Sequence, residues 1–188
     1  MSKIPLWLRY LLVFIATFII VSIIYTILAN TTNIEEIFGG NPYKEESPES
    51  KAGEFTAYDA EGNAVKLSDF RGKPVILNFW ASWCGPCKAE MPEFETAYQT
   101  YGDQVQFLVV NLTDGSSETV ETASGYIAEQ GYTFPVYYDT AMEAAVAYRI
   151  YAIPVSYFID ASGEVRATHE GMIPGEALTS NIEALLAQ

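Results

Sequence analysis

Hydrophobic positions follow three patterns along the chain, and each predicts a different kind of element. The first is an unbroken, uncharged apolar run at positions 10–29 (YLLVFIATFIIVSIIYTILA). At 1.5 Å of rise per residue it matches the roughly 30 Å hydrocarbon layer of a bilayer, which predicts a membrane-spanning helix. Trp7, Tyr10 and Tyr25 sit near its ends as interfacial aromatics do. Lys3 and Arg9 on its N-terminal side predict that residues 1–9 are cytoplasmic and that everything after the span lies outside. A cleavable leader has a shorter apolar core and a small-x-small site; Ile27, two places before Ala29, spoils such a site, so the segment is expected to remain as an anchor.

Periodicity then disappears over residues 30–52, where Gly, Pro, Ser and Glu accumulate, and this stretch predicts a flexible linker. A second pattern, alternation, occupies 54–70 around the turn DAEGN and predicts a β-hairpin. The third is the compact apolar run of a strand buried on both faces, seen at 74–80 (PVILNFW) and again at 105–111 (VQFLVVN). A helix is predicted from the end of the first run to about Tyr101. An amphipathic helix and short strand (FPVYYD) fall within 115–139, a helix begins near Thr140, a strand occupies 155–159, a return strand 165–168, and a closing helix 174–186. Alternating strands and helices over 53–188 describe one α/β domain with a mixed sheet.

Charge narrows the function classes. The formal net charge is -14, and because all 24 acidic residues but only 8 of the 10 basic ones follow the apolar run, the part beyond it carries about -16. Such a surface repels phosphate backbones and excludes nucleic acid as a partner. The chain contains two cysteines, Cys84 and Cys87, too few and too close for a structural disulfide framework. They sit in ASWCGPCK at 81–88, where a buried strand passes into a helix. Pro86 suits the first helical turn and places Cys84 among unpaired backbone N–H groups, whose positive potential favours a thiolate. Cys87, one turn on, is placed to attack a mixed disulfide formed at Cys84, release a reduced substrate and close the Cys84–Cys87 disulfide. A closed zinc site needs four ligands, and His169 alone could be added to the cysteines. Copper held by two Cys and a distant His is the metal alternative.

The segment FWASWCGPCK at 79–88 resembles the active-site segment of thioredoxins, and YAIP at 151–154 resembles that family's cis-proline loop. The resemblance implies a thioredoxin fold: a central mixed β-sheet flanked by helices, here with an N-terminal hairpin, a central helix-strand insertion and the membrane helix. Asn78 stands where thioredoxins carry a buried aspartate, and it cannot take up a proton. The anchor, the insertion and CKAEMP at 87–92 resemble the ResA and TlpA type of extracytoplasmic thiol-disulfide oxidoreductase over residues 53–188. That resemblance implies that Glu90 handles a proton for the cysteines. By spacing alone Glu90 shares a helical face with Cys87, and it equally reads as a solvated carboxylate like Glu93 or Glu95. The resemblance at the cis-proline loop further implies that Ile153 and Pro154 lie beside the cysteines, with Ile153 backbone groups pairing with an extended substrate strand; Trp80 and Trp83 read as core and rim aromatics, Trp83 adding apolar substrate surface. Protein disulfides are the implied substrates, apocytochrome c among them, with electrons from a membrane transporter of the CcdA type and no cofactor. Three rivals are a disulfide-forming oxidase, which differs in potential; a thiol peroxidase, which would carry threonine at Ala81; and a copper chaperone, which would space its cysteines more widely.

Overall fold

A computed structural model describes residues 5–30 and 51–187, and these comprise two separate compact units. The first contains one helix, α1 (Leu6–Asn30). Its described side chains are exposed and overwhelmingly apolar. Among the described residues no helix is long and apolar enough to cross a membrane. The continuous stretch of α1 with described side chains, 10–26, measures only about 25 Å. The expected linker at 30–52 lies outside the described residues except at its edges; at its end Lys51 already bridges to Glu164 and the Ala52 N–H donates to Gly163 O at 2.9 Å.

The second unit is built on a sheet whose seven described strands are β1 (Thr56–Tyr58), β2 (Ala64–Lys66), β3 (Val75–Trp80), β4 (Gln106–Asn111), β5 (Val136–Tyr138), β6 (Val155–Ile159) and β7 (Val165–Glu170). Their spatial order is β2-β1-β5-β4-β3-β6-β7. The centre is parallel, β3 with β4 and β4 with β5, while β6, β7 and the β1–β2 hairpin run antiparallel to their neighbours. The helices are α2 (Gly85–Tyr101), α3 (Val120–Gln130), α4 (Glu143–Ala147) and α5 (Gly175–Leu186), with a 3-10 turn at Leu67–Phe70.

All six residues of β3 are buried, as its apolar run predicts, and the two-residue strand period divides them between two cores. Ile76 and Trp80 belong to one core with Met91 and Phe94 of α2 and Leu178, Ile182 and Leu185 of α5. Val75, Leu77 and Phe79 meet Phe55, Leu67 and Ala144 on the other side. Asn78 shares the period of Ile76 and Trp80, so its amide points under α2. Two elements differ from expectation. The helix expected near Thr140 starts only at Glu143, because Met142 at its N-terminus takes the left-handed conformation at φ 57°, and it is five residues long. The return strand extends past Thr168 to Glu170, which places His169 inside β7 and half-buried.

Candidate active site

The end of β3 delivers Cys84 to the N-cap of α2, with Pro86 in the first turn. Cys84 and Cys87 form a disulfide with Cα atoms 5.3 Å apart. Cys84 Sγ accepts from the Cys87 N–H at 3.2 Å, the helix-terminal contact that favours negative charge on this sulfur once the bond is reduced. Cys84 is 4 % exposed and Cys87 fully buried, so an incoming nucleophile or disulfide meets Cys84 first. The Ile153–Pro154 peptide is cis, and the Ile153 carbonyl lies 3.8 Å from Cys84 Sγ. Trp83 is exposed beside Cys84, whereas Trp80 is enclosed in the core and packs on Tyr126 of the inserted α3.

Glu90 is not a solvated carboxylate. It is 1 % exposed, while Glu93 on the same helix faces solvent and Glu95 is half-buried. One turn past Cys87, its Oε1 accepts from Asn78 Nδ2 at 2.9 Å and its Oε2 from the Ile173 N–H at 2.8 Å. Asn78 Nδ2 also donates to Ser156 Oγ at 3.0 Å, across the directly paired β6. Burial pushes the Glu90 carboxyl up to about 7, and the Ile173 N–H and Asn78 amide oppose that shift. A carboxyl with that affinity exchanges protons with its surroundings near neutral pH. The structure therefore brings Cys84, Cys87, Glu90, Ile153 and Pro154 together, with Trp83 on the rim.

Sequence reasoning missed Glu118. It lies within 115–139, where an amphipathic helix is expected, but that helix begins only at Val120, and Glu118, ahead of its N-cap, is fully buried. Its Oε1 accepts from the Ser82 N–H at 2.8 Å and Asn111 Nδ2 at 2.7 Å, and its Oε2 from Ser82 Oγ at 2.7 Å. Thr113 Oγ1 donates to Asn111 Oδ1 at 2.7 Å and fixes that amide. Glu118 thus ties the turn that precedes Cys84 to the end of β4. An acidic residue just before the Thr119 N-cap of α3 was the available signal, but its partner Ser82 is far away in sequence.

Comparison with known proteins agrees with this geometry. Residues 48–168 match the AhpC/TSA family. The thiol-disulfide oxidoreductase ResA of Geobacillus kaustophilus is 34% identical over 137 residues, covering 72% of this chain and 76% of that one. The sporulation thiol-disulfide oxidoreductase A of Bacillus subtilis is 32% identical over 142 residues, 75% of this chain and 85% of its own. Among solved structures, a putative thiol:disulfide interchange protein DsbE from Chlorobium tepidum superposes with a TM-score of 0.66 at 34% identity, covering 73% of this chain and 96% of that one. The fold is thioredoxin-like, and a Cys-x-x-Cys pair at a helix N-terminus beside a cis-proline is the working part of a thiol-disulfide oxidoreductase. The chain belongs to the AhpC/TSA family of thioredoxin-like proteins, among its ResA-type thiol-disulfide oxidoreductases.

Proposed function

We propose that this oxidoreductase is held in the cytoplasmic membrane by residues 10–29, faces outward, and reduces disulfides in specific proteins, apocytochrome c being the implied substrate. The observation that carries the reading is the buried Glu90 one turn from Cys87, with a carboxyl poised to hold or release a proton near pH 7. In the reduced protein the Cys84 thiolate attacks a substrate disulfide, forming one mixed disulfide and expelling a substrate thiolate. Cys87 then passes its proton to Glu90 and attacks Cys84 Sγ. The Cys84–Cys87 disulfide forms and the second substrate sulfur leaves as a thiolate, which takes a proton from solvent. Ile153 and Pro154 offer backbone to an extended substrate segment, and Trp83 offers it apolar surface.

Two electrons must be returned after each turnover, and a membrane carrier of the CcdA type would supply them across the bilayer. The exposed apolar side chains of α1 and the basic Lys3 and Arg9 ahead of the uncharged run 10–29 support the anchored, outward orientation. The deciding experiment is the midpoint potential of the Cys84/Cys87 couple in the full chain, equilibrated with thiol buffers at pH 7. A value near the roughly -270 mV of thioredoxin fits a reductase; a value near the roughly -120 mV of DsbA would make the protein a donor of disulfides and remove the cytochrome assignment.

A further inference from the structure

Beneath α2, three polar side chains stand on three adjacent strands. Asn78 of β3 is paired with Ser156 of β6, and Ser156 is paired with His169 of β7. The first two reach Glu90 directly or through one another. His169 reaches it by another route. Gly171, at φ +80°, turns the chain after β7, so that the Met172 carbonyl faces back toward the strand. That carbonyl lies 3.3 Å from His169 Nε2 and can only accept, so Nε2 carries the proton. The N–H of the same peptide unit, belonging to Ile173, donates to Glu90 Oε2 at 2.8 Å. One peptide is thus held at its oxygen by His169 and at its nitrogen by Glu90.

We propose that His169 is a positioning residue: by fixing the Met172–Ile173 peptide it aims the Ile173 N–H at Glu90 and so sets the proton affinity of that carboxyl. A donor on the carbonyl also polarises the amide and strengthens the bond its N–H makes on the other side. The consequence for thiol exchange rests on the reading of Glu90 as the proton acceptor for Cys87. Besides Glu90 and His169, the charged side chains carried by the elements around this peptide are Lys88, Glu93 and Glu95 of α2, Glu176 and Glu183 of α5, and Arg166 and Glu170 of β7. Glu93 reaches over Gly175, three positions beyond the peptide's carbonyl residue, and is the charge to hold constant in any test. On β6 the paired residue Ser156 does not titrate.

The test is an infrared titration of the Glu90 carboxyl in the oxidised full chain, the band being assigned by its loss in Glu90→Gln. His169→Val removes the donor, with His169→Leu as a second removal, and His169→Gln retains an amide N–H. The expected result is a Glu90 midpoint that rises by roughly half a pH unit in the Val and Leu variants and returns toward the wild-type value in the Gln variant. A midpoint that stays put in both removals, or one that moves equally in the Gln variant, overturns the inference. The pH profile of cysteine alkylation in the reduced chain separates the two readings. If Glu90→Gln leaves that profile unchanged, the proton-handling reading fails, while the infrared midpoint still decides the role of His169. If Glu90→Gln shifts the profile, His169→Val should shift it too, and should add nothing in the Glu90→Gln background.

Discussion

Two buried carboxyl groups flank the Cys84–Cys87 pair, and they are held in opposite ways. Glu118 uses both oxygens to bind three donors from the turn before Cys84 and the end of β4, and it fastens one part of the chain to another. Glu90 has two donors, one of them shared with Ser156, and burial outweighs them enough to lift its proton affinity to about 7. The difference is one of satisfaction. An acid with three donors ties two parts of the chain together, whereas one whose burial outweighs its donors keeps its proton to higher pH.

Each side of that contrast can be broken separately. Glu118→Ala leaves the Ser82 N–H and the Asn111 amide without partners in a buried site, and should cost about 3–4 kcal/mol in denaturant unfolding at pH 7, with the midpoint of cysteine alkylation in the folded protein little changed. Glu90→Gln should act on the pH dependence instead. The folded-state value near 7 lies above the ordinary 4.5, so the folded protein binds the extra proton between those values. Stability is then full below about pH 4.5 and falls as pH rises through 7, by about 3 kcal/mol in total. Unfolding measured from pH 4 to pH 8 should show that slope in the wild type and a flatter one in Glu90→Gln. An equal slope in both proteins would mean that Glu90 carries no proton-binding asymmetry.

Smaller effects sharpen the comparison. Ser82→Ala removes one of three donors to Glu118 but leaves the backbone N–H in place, and should cost about 1 kcal/mol in the same denaturation assay. Asn78→Ala takes away a donor that favours the charged form of Glu90. It should raise the Glu90 midpoint by roughly half a unit in an infrared titration, and a fall would show that the amide does not stabilise the carboxylate.

The sequence disclosed those parts of the site that local patterns control. The apolar run of β3, the helix start at Pro86 and the three-residue spacing from Cys87 to Glu90 are written in one continuous stretch, positions 75–90, and each follows from the period of one element. Ile153 and Pro154 were reachable through motif resemblance, since a cis peptide has no local signature of its own. Glu118 and His169 were not legible in these roles: Glu118 is held from distant Ser82 and from Asn111 at the end of β4, and His169 is engaged only once Gly171 folds the chain back to bring Met172 beside it. In the case of α4, the Ala-rich stretch after Thr140 carried helical propensity, but the left-handed Met142 delays the helix.

The pairing of Lys51 with Glu164 decides how the domain can be handled. Glu164 adjoins the end of β6 that is registered with Val75, the start of β3, while Cys84 follows the other end of that strand. The chain therefore enters the domain at the pole opposite its disulfide, about 20 Å away along a six-residue strand. Coupling residue 51 to an electrode or bead would leave Cys84 facing the bulk solution, so that immobilised molecules present their reactive sulfur with a common polarity.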